Sequence, residues 1–255
     1  REEFRLQSFY LTHPDRRAFT RTPWMRNQIP FLLYRSIVFV YQLAVFVNDI
    51  SLFAAQPRSL AYLTNWGFAL LTVHTAWSTL LCFVDYFSSR YSYLRSQASM
   101  ERCWVLYNVA FSVGLFITVA FWALLADNAG VYNILFHAIN SVVIVIDVII
   151  SGLPYRLLHF VYPSAFAFAY MLFTAIYWAA GGTDNNNNPW IYPVLDYGGN
   201  PALASGIAAG SVLVAVPLCH VILFGLALAR ETLSDLVKRR SEGIQPEQRR
   251  EEERA

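Results

Sequence analysis

Charge is what this sequence has least of. Only 14% of its 255 residues are charged and 56% are hydrophobic, against about 25% and about 45–50% in ordinary globular proteins. Lysine is almost missing, with Lys238 alone beside eighteen Arg. Cysteine is sparse as well. Cys82, Cys103 and Cys219 are odd in number and lie in or beside apolar runs, which excludes a secreted disulfide scaffold. The first residues lack the short apolar core and small-residue cleavage site of a signal peptide, and the missing initiator Met makes a trimmed or processed start the expectation. No Gly-rich loop opens a helix, so a phosphate or nucleotide site is excluded and no nucleic-acid partner is expected. The five His, at positions 13, 74, 137, 159 and 220, are too few for a His-box metal oxygenase. His74 and His220 match poorly in depth as a haem pair. No metal and no cofactor are therefore expected.

What the chain has instead is long uncharged runs, and a mean hydropathy of +0.38. Six stretches, approximately Phe31–Ile50, Tyr62–Tyr86, Cys103–Leu125, Val131–Ile150, Leu157–Ala180 and Ala204–Ala229, have the length that a bilayer core of about 30 Å demands of a helix. The runs are continuous rather than alternating, which excludes a β-barrel. The expected fold class is all-α, an integral membrane bundle of six transmembrane helices. Residues 1–30 form an Arg-rich N-terminal segment with an apolar side and Pro23-Trp24 before the first span. They read as an interfacial, amphipathic anchor, with a solvated tail as the alternative. Residues 31–230 form the transmembrane domain and 231–255 a charged tail, helical at first and fading into disorder. The long loop Gly181–Leu203, with Asn185-Asn186-Asn187-Asn188-Pro189, reads as a mobile connector, with a binding lid as the alternative.

Six spans put both termini on one side. That side holds seventeen of the 19 basic residues, leaving Arg58 opposite and Arg35 within the first span. The positive-inside rule then makes both termini cytosolic, or in the matrix if the membrane is mitochondrial.

Polar side chains inside hydrocarbon cost about 2.5–3.5 kcal/mol each on insertion scales, so each needs a partner or a task. Arg35 and Asp85 lie near span ends and are expected to snorkel or pair. His137, Asn140, Ile144 and Asp147 are spaced three, four and three residues apart, which lines the polar groups on one helix stripe facing the bundle interior. By depth, Asp49, Thr64, Asn65 and His137 belong to one outer cavity. His74, Asp147 and His220 belong to a deeper one. A nucleophile–base pair of Thr64 or a serine with His137 is compatible with these depths, as is plain hydrogen bonding between helices.

The stretches Glu3-Phe4-Arg5-Leu6, Leu11-Thr12-His13-Pro14-Asp15, Phe19 and Trp24 resemble the opening of rolling stone proteins. His137-Ala138-Ile139-Asn140-Ser141 with Asp147, and Ile191-Tyr192-Pro193-Val194-Leu195-Asp196, resemble the same family in the same order. The resemblance implies a multi-pass membrane protein connected with myoblast fusion, for which the plasma membrane is favoured; the endoplasmic reticulum and the mitochondrial inner membrane are compatible. It also implies a more distant kinship with androgen-induced, FAR-seventeen-a-like proteins. Some of these are intramembrane hydrolases of fatty acid esters of hydroxy fatty acids that use a Thr nucleophile and a His. Thr64 falls where those hydrolases have their Thr. They carry two His three residues apart and use the second; here the first is His137 and the second position is Asn140. A neutral amide takes no proton from Thr, and His137 lies about 4.5 Å away along the axis. The expectation is thus a non-enzymatic membrane protein with a polar intramembrane cavity lined by Asp49, Asn65, His74, Asn140, Asp147 and His220. Its partners would be membrane lipids or a fatty acyl ligand. The alternatives are a fatty acyl ester hydrolase using Thr64 and His137, and an accessory subunit docking a protein partner through Arg-rich termini.

Overall fold

The computed structural model describes residues 3–87, 96–124, 130 and 133–252, with side chains at 6–7, 52–55, 57, 136 and 241–252 outside the description. The expectations for Arg1, Arg90, Arg95, Leu125, Val131 and Arg254, and for the side chains of Leu6, Arg249 and Arg250, fall outside the described residues.

Among the described residues every regular element is helical. The helices are α1 (Ile29–Ala55), α2 (Leu63–Phe87), α3 (Gln97–Leu124), α4 (Asn140–Ile150), α5 (Val161–Ala179), α6 (Pro201–Gly210) and α7 (Val216–Glu252). Two π turns, Ile134–Ile139 and Ser211–Ala215, lead into α4 and join α6 to α7. Five of these segments are long and apolar enough to cross a membrane, the last being the joined rod Pro201–Arg240. The fourth expected span differs: its π turn has 6 residues and α4 only 11. That falls short of the roughly 20 residues of a standard crossing.

α3 is the axis of the bundle, touching α2, α4, α5 and α7. Its Trp104, Tyr107, Ala110 and Phe111 are fully buried. Along their apolar stretches α2 and α3 are 61% and 56% buried, whereas α1, α5 and the α6–α7 rod are 28% buried and turn most of their apolar surface outward. Close approach at the centre depends on glycine. A Cβ at Gly67 would collide with Ile117, and one at Gly114 would lie 2.7 Å from Ile144 Cδ1. Small residues of this kind let membrane helices pack backbone against backbone.

The polar stripe of α4 meets a matching row on α1. Arg35 Nη1 lies 2.8 Å from Asp147 Oδ1, both side chains being at most 2% exposed. Gln42 Nε2 donates to Asn140 Oδ1 at 3.0 Å, and Tyr41 donates to the Leu135 carbonyl at 3.1 Å. Arg35 and Gln42 are seven residues apart, as are Asn140 and Asp147, so two antiparallel helices meet in two rungs about 10 Å apart. Asp49, another buried residue, continues the α1 row by a further seven. The guanidinium of Arg35 also lies 5.1 Å from the Phe31 ring centre, and Thr79 donates to the Arg35 carbonyl. Arg35 thus pairs with Asp147, while Asp85 pairs with Arg21 at 3.0 Å.

The Arg-rich N-terminal segment folds onto one end of this bundle rather than trailing as a solvated tail. Phe19 is buried edge-on against Trp104, with His13 against both rings. Arg156 stacks over Trp104 and donates to the Tyr10 and Thr12 carbonyls. Trp24 Nε1 donates to the Ile149 carbonyl, and Gly152 N–H to the Arg21 carbonyl. Phe4 and Tyr10 stay exposed. Arg230 is buried at the same end, where its Nη1 reaches the carbonyls of Val148, Ser151 and Leu153. A cation there satisfies the open carbonyls and the negative end of α4, so this arginine belongs to the bundle. This end is called the basic end below.

At the far end, the loop expected to be mobile carries its own scaffold. The Asp184 carboxylate accepts from Asn186 N, Asn188 N and Asn188 Nδ2. Arg58 donates to the Asp184 carbonyl and to Asn187 Oδ1. Asn187 takes φ of 65°, a left-handed conformation that Asn tolerates. Burial works to raise the Asp184 pKa, but the side-chain and backbone donors of Asn188, then Asn186 and Arg58, hold it below the ordinary carboxylate value.

Two outcomes follow for the purified protein in detergent. Arg35→Leu or Asp147→Leu alone strands a buried charge and is expected to cost about 3–5 kcal/mol in thermal or chemical unfolding. The double variant should lose clearly less than the sum of the two, and strict additivity would show that the pair is not coupled. Gly152→Ala would push a methyl to 2.6 Å from the Arg21 carbonyl oxygen and 2.9 Å from that of Ala18. It should loosen the N-terminal segment by about 1–3 kcal/mol, read as faster trypsin cleavage after Arg16 and Arg17; an unchanged rate would show that this contact does not hold it.

Candidate functional site

A cavity of about 430 Å³ lies between the start of α2, the far half of α3, α5 and the α6–α7 rod. Its polar corner is built from the N-terminus of α2. The first helical N–H groups have no partner within the helix, and that of Leu63 donates to the Tyr192 hydroxyl at 2.9 Å. The 3₁₀ turn Pro193–Leu195 directly after Tyr192 places its ring there, edge-on to Tyr62 at 5.4 Å. Thr64 and Tyr170 line the cavity beside it. Tyr170 is fully buried and donates to the Ala61 carbonyl at 2.8 Å. Thr64, Tyr192 and Tyr170 therefore form a cluster of hydroxyls at one corner of an otherwise apolar space.

The remaining walls explain the space itself. Phe116, Ile117, Met171 and Cys219 form its apolar sides, and Gly206, Gly210 and Ser211 line it from the rod. A Cβ at Gly206 or Gly210 would meet nothing within 4 Å. The π turn begins at Ser211, which donates to the Ile207 carbonyl. Such turns re-aim one turn of a helix and are frequent at functional sites. Among the described residues, none that lines the cavity is charged.

His137 does not stand beside Thr64. Its ring stacks face to face on Phe121, with centroids 3.8 Å apart and planes 7° from parallel. Phe121 lines the cavity, so His137 sits behind that ring. No hydrogen bond joins Thr64 to His137 among the described residues. Asn140 is nearer in kind: it and Thr64 flank one crevice of about 10 Å³, together with Gly67, Leu71 and Gly114. Its amide oxygen is held by Gln42.

The other residues singled out by depth scatter among structural tasks. Asn65 donates to the Ser59 carbonyl and lines a more open apolar groove of about 770 Å³ with Phe46, Trp66 and Phe166. Asp147 is held by Arg35. His74 packs against Tyr107 and Phe111, and a run of rings continues through Tyr155 to His220. His220 bridges Ser112 Oγ and the Arg156 carbonyl. The deeper cluster is thus one region linked by aromatic rings, without direct contact among the three. Asp49 is buried on α1, in line with Gln42. No group of three or more His, Cys, Asp or Glu side chains suited to a metal occurs among the described residues.

Tyr192, Tyr170 and Gln42 were not among the candidate residues. Gln42 had a readable signal, since it lies midway between Arg35 and Asp49 at seven-residue steps. Tyr192 and Tyr170 had none, because their meeting with Thr64 joins a loop and a helix more than 100 positions away.

A family model described as Protein rolling stone matches residues 2–237. Protein rolling stone of Drosophila melanogaster is 30% identical over 243 residues, covering 88% of this chain and 87% of that protein. No solved structure matches. The helical architecture, the family match over nearly the whole chain and the relative aligned along its length agree, and the chain belongs to the rolling stone family.

Proposed function

We propose that this protein is a six-crossing membrane protein, both termini cytosolic, whose far-half cavity accommodates membrane lipid without turning it over. Its role would lie in cell-surface interaction or membrane fusion, with the plasma membrane as the location that the family resemblance favours. The observation that carries the non-catalytic reading is the company Thr64 keeps. Its neighbours are hydroxyls and a neutral amide, and the described residues lining its cavity include no His, Asp, Glu or Lys to take a proton.

Two further observations support the topology. α4 runs antiparallel to α1 from the Tyr41 level to the Arg35 level, carrying the chain from the far end to the basic end. The described arginines concentrate at that basic end, whereas Arg58 alone marks the far loops. The positive-inside rule puts the basic end in the cytosol. Burial of Arg230 and the engagement of Arg21 and Arg156 within the fold leave fewer basic groups for a protein partner, which weighs against an accessory-subunit role.

One observation favours the hydrolase reading: Thr64 sits at the N-terminus of a helix and opens on the cavity. For that chemistry, His137 would have to leave its stack on Phe121 to reach Thr64. The deciding experiment incubates purified protein and Thr64→Ala with a fluorophosphonate probe and a panel of fatty acyl esters. We expect neither labelling nor turnover above the variant. Labelling and turnover abolished by Thr64→Ala would overturn the non-catalytic reading and make His137 the next residue to change. For topology, Asn186→Cys should react with an impermeant maleimide on intact cells and Arg26→Cys only after permeabilisation. The reverse pattern would invert the orientation.

A further inference from the structure

Resting on the reading of the cavity as a lipid site, we infer that its ligand is a neutral single-chain amphiphile, with an uncharged hydroxyl or ester head bound at Thr64 and Tyr192. Three features point to this class. The first is shape. The cavity follows the α6–α7 rod from Gly206 to Ile222, up to about 24 Å at helical rise. Its volume of about 430 Å³ lies within the range of about 300–1,000 Å³ typical of small-molecule sites. A space of this length and volume suits one extended chain.

The second is charge. A carboxylate, phosphate or ammonium head taken out of water needs a counter-charge, or its burial is prohibitive. The described lining residues supply none. A neutral head carries no such penalty and needs only hydrogen bonds.

The third is the unspent capacity of the hydroxyl corner. Tyr192 accepts from Leu63 N–H, and Tyr170 donates to the Ala61 carbonyl, so these two rings are fixed in place by the backbone. A Thr hydroxyl has one proton and two acceptor sites, and that of Thr64 belongs to the cavity lining. Thr64 can therefore accept from a ligand hydroxyl, or turn its one proton to a hydroxyl or ester oxygen, at the cavity's polar corner. Gly206 and Gly210 line the chain-binding portion, and a Cβ at either position would meet nothing within 4 Å.

The test uses a long-chain monoacylglycerol bearing a diazirine on its acyl chain, photolysed with the full-length protein in nanodiscs and read by intact mass and peptide mapping. Labels should fall on α3 and on Gly206–Ile222, and unlabelled monoacylglycerol should compete. Gly210→Leu or Gly206→Leu should cut labelling at least about tenfold by filling the space. Thr64→Val should weaken it roughly threefold to tenfold, the worth of one or two hydrogen bonds. Wild-type labelling in both glycine variants would overturn the site. Competition by ionised oleate or by phosphatidylcholine as strong as by monoacylglycerol would overturn the ligand class, and undiminished labelling of both Thr64→Val and Tyr192→Phe would overturn the anchor. Failure of the underlying non-catalytic reading would look different: the probe would label in the cavity, and its ester would then be cleaved.

Discussion

The Arg35–Asp147 ion pair is the contact on which the bundle's arrangement depends. Neither charge reaches water, so each makes the other tolerable. Satisfying both at once sets α1 against α4 in one register, and the Gln42–Asn140 bond repeats that register two turns away. A slip by one residue on either helix would leave two rungs broken inside an apolar interior. Apolar side chains alone would not be so selective, because a lipid-facing and a helix-facing leucine differ little in environment.

From this registration the cavity follows indirectly. With α4 tied to α1 and closely approached by α3 through Gly114, the far half of α3 is held near α2, where Gly67 admits Ile117. α5 and the α6–α7 rod then pack from the other side, and their small residues and π turn fail to fill the gap. The basic end shows the opposite economy. Arg230, Arg156 and Arg21 are each spent on carbonyls or a carboxylate, and the N-terminal segment closes that end with Phe19 on Trp104. One end of the molecule is thus sealed by hydrogen bonds, while the other retains an apolar space with a hydroxyl corner.

The family kinship and the chemistry of Thr64 pull in different directions. The resemblance singles out Thr64 and the His137–Asn140 stretch, and the fold does bring Thr64 and Asn140 to one crevice. What stands at the position facing Thr64 is an amide already committed to Gln42, and the imidazole of this stretch lies flat against Phe121. In the lipid-site reading proposed above, Thr64 would hold a head group, since the side chains around it are committed to other contacts.

Hydropathy and helical period were sufficient to read the membrane-embedded all-helical character, the approximate positions of five long helices, and the inward stripe of Asn140 and Asp147. Each is a property of a run of local residues: twenty apolar positions demand a helix across hydrocarbon, and polar groups at three- and four-residue spacing must share a face. The partners of those groups were not legible. Arg35 and Asp85 were expected to snorkel or pair, and only the tertiary structure gave Arg35 to Asp147 and Asp85 to Arg21. Depth along separate helices assigned His74, Asp147 and His220 to one deeper cavity, but rotation about each helix axis put rings between His74 and His220 and Asp147 on Arg35. The cavity itself belongs wholly to tertiary structure, since it is the space that α2, α3, α5 and the α6–α7 rod leave between them, and its polar corner joins residues more than 100 positions apart.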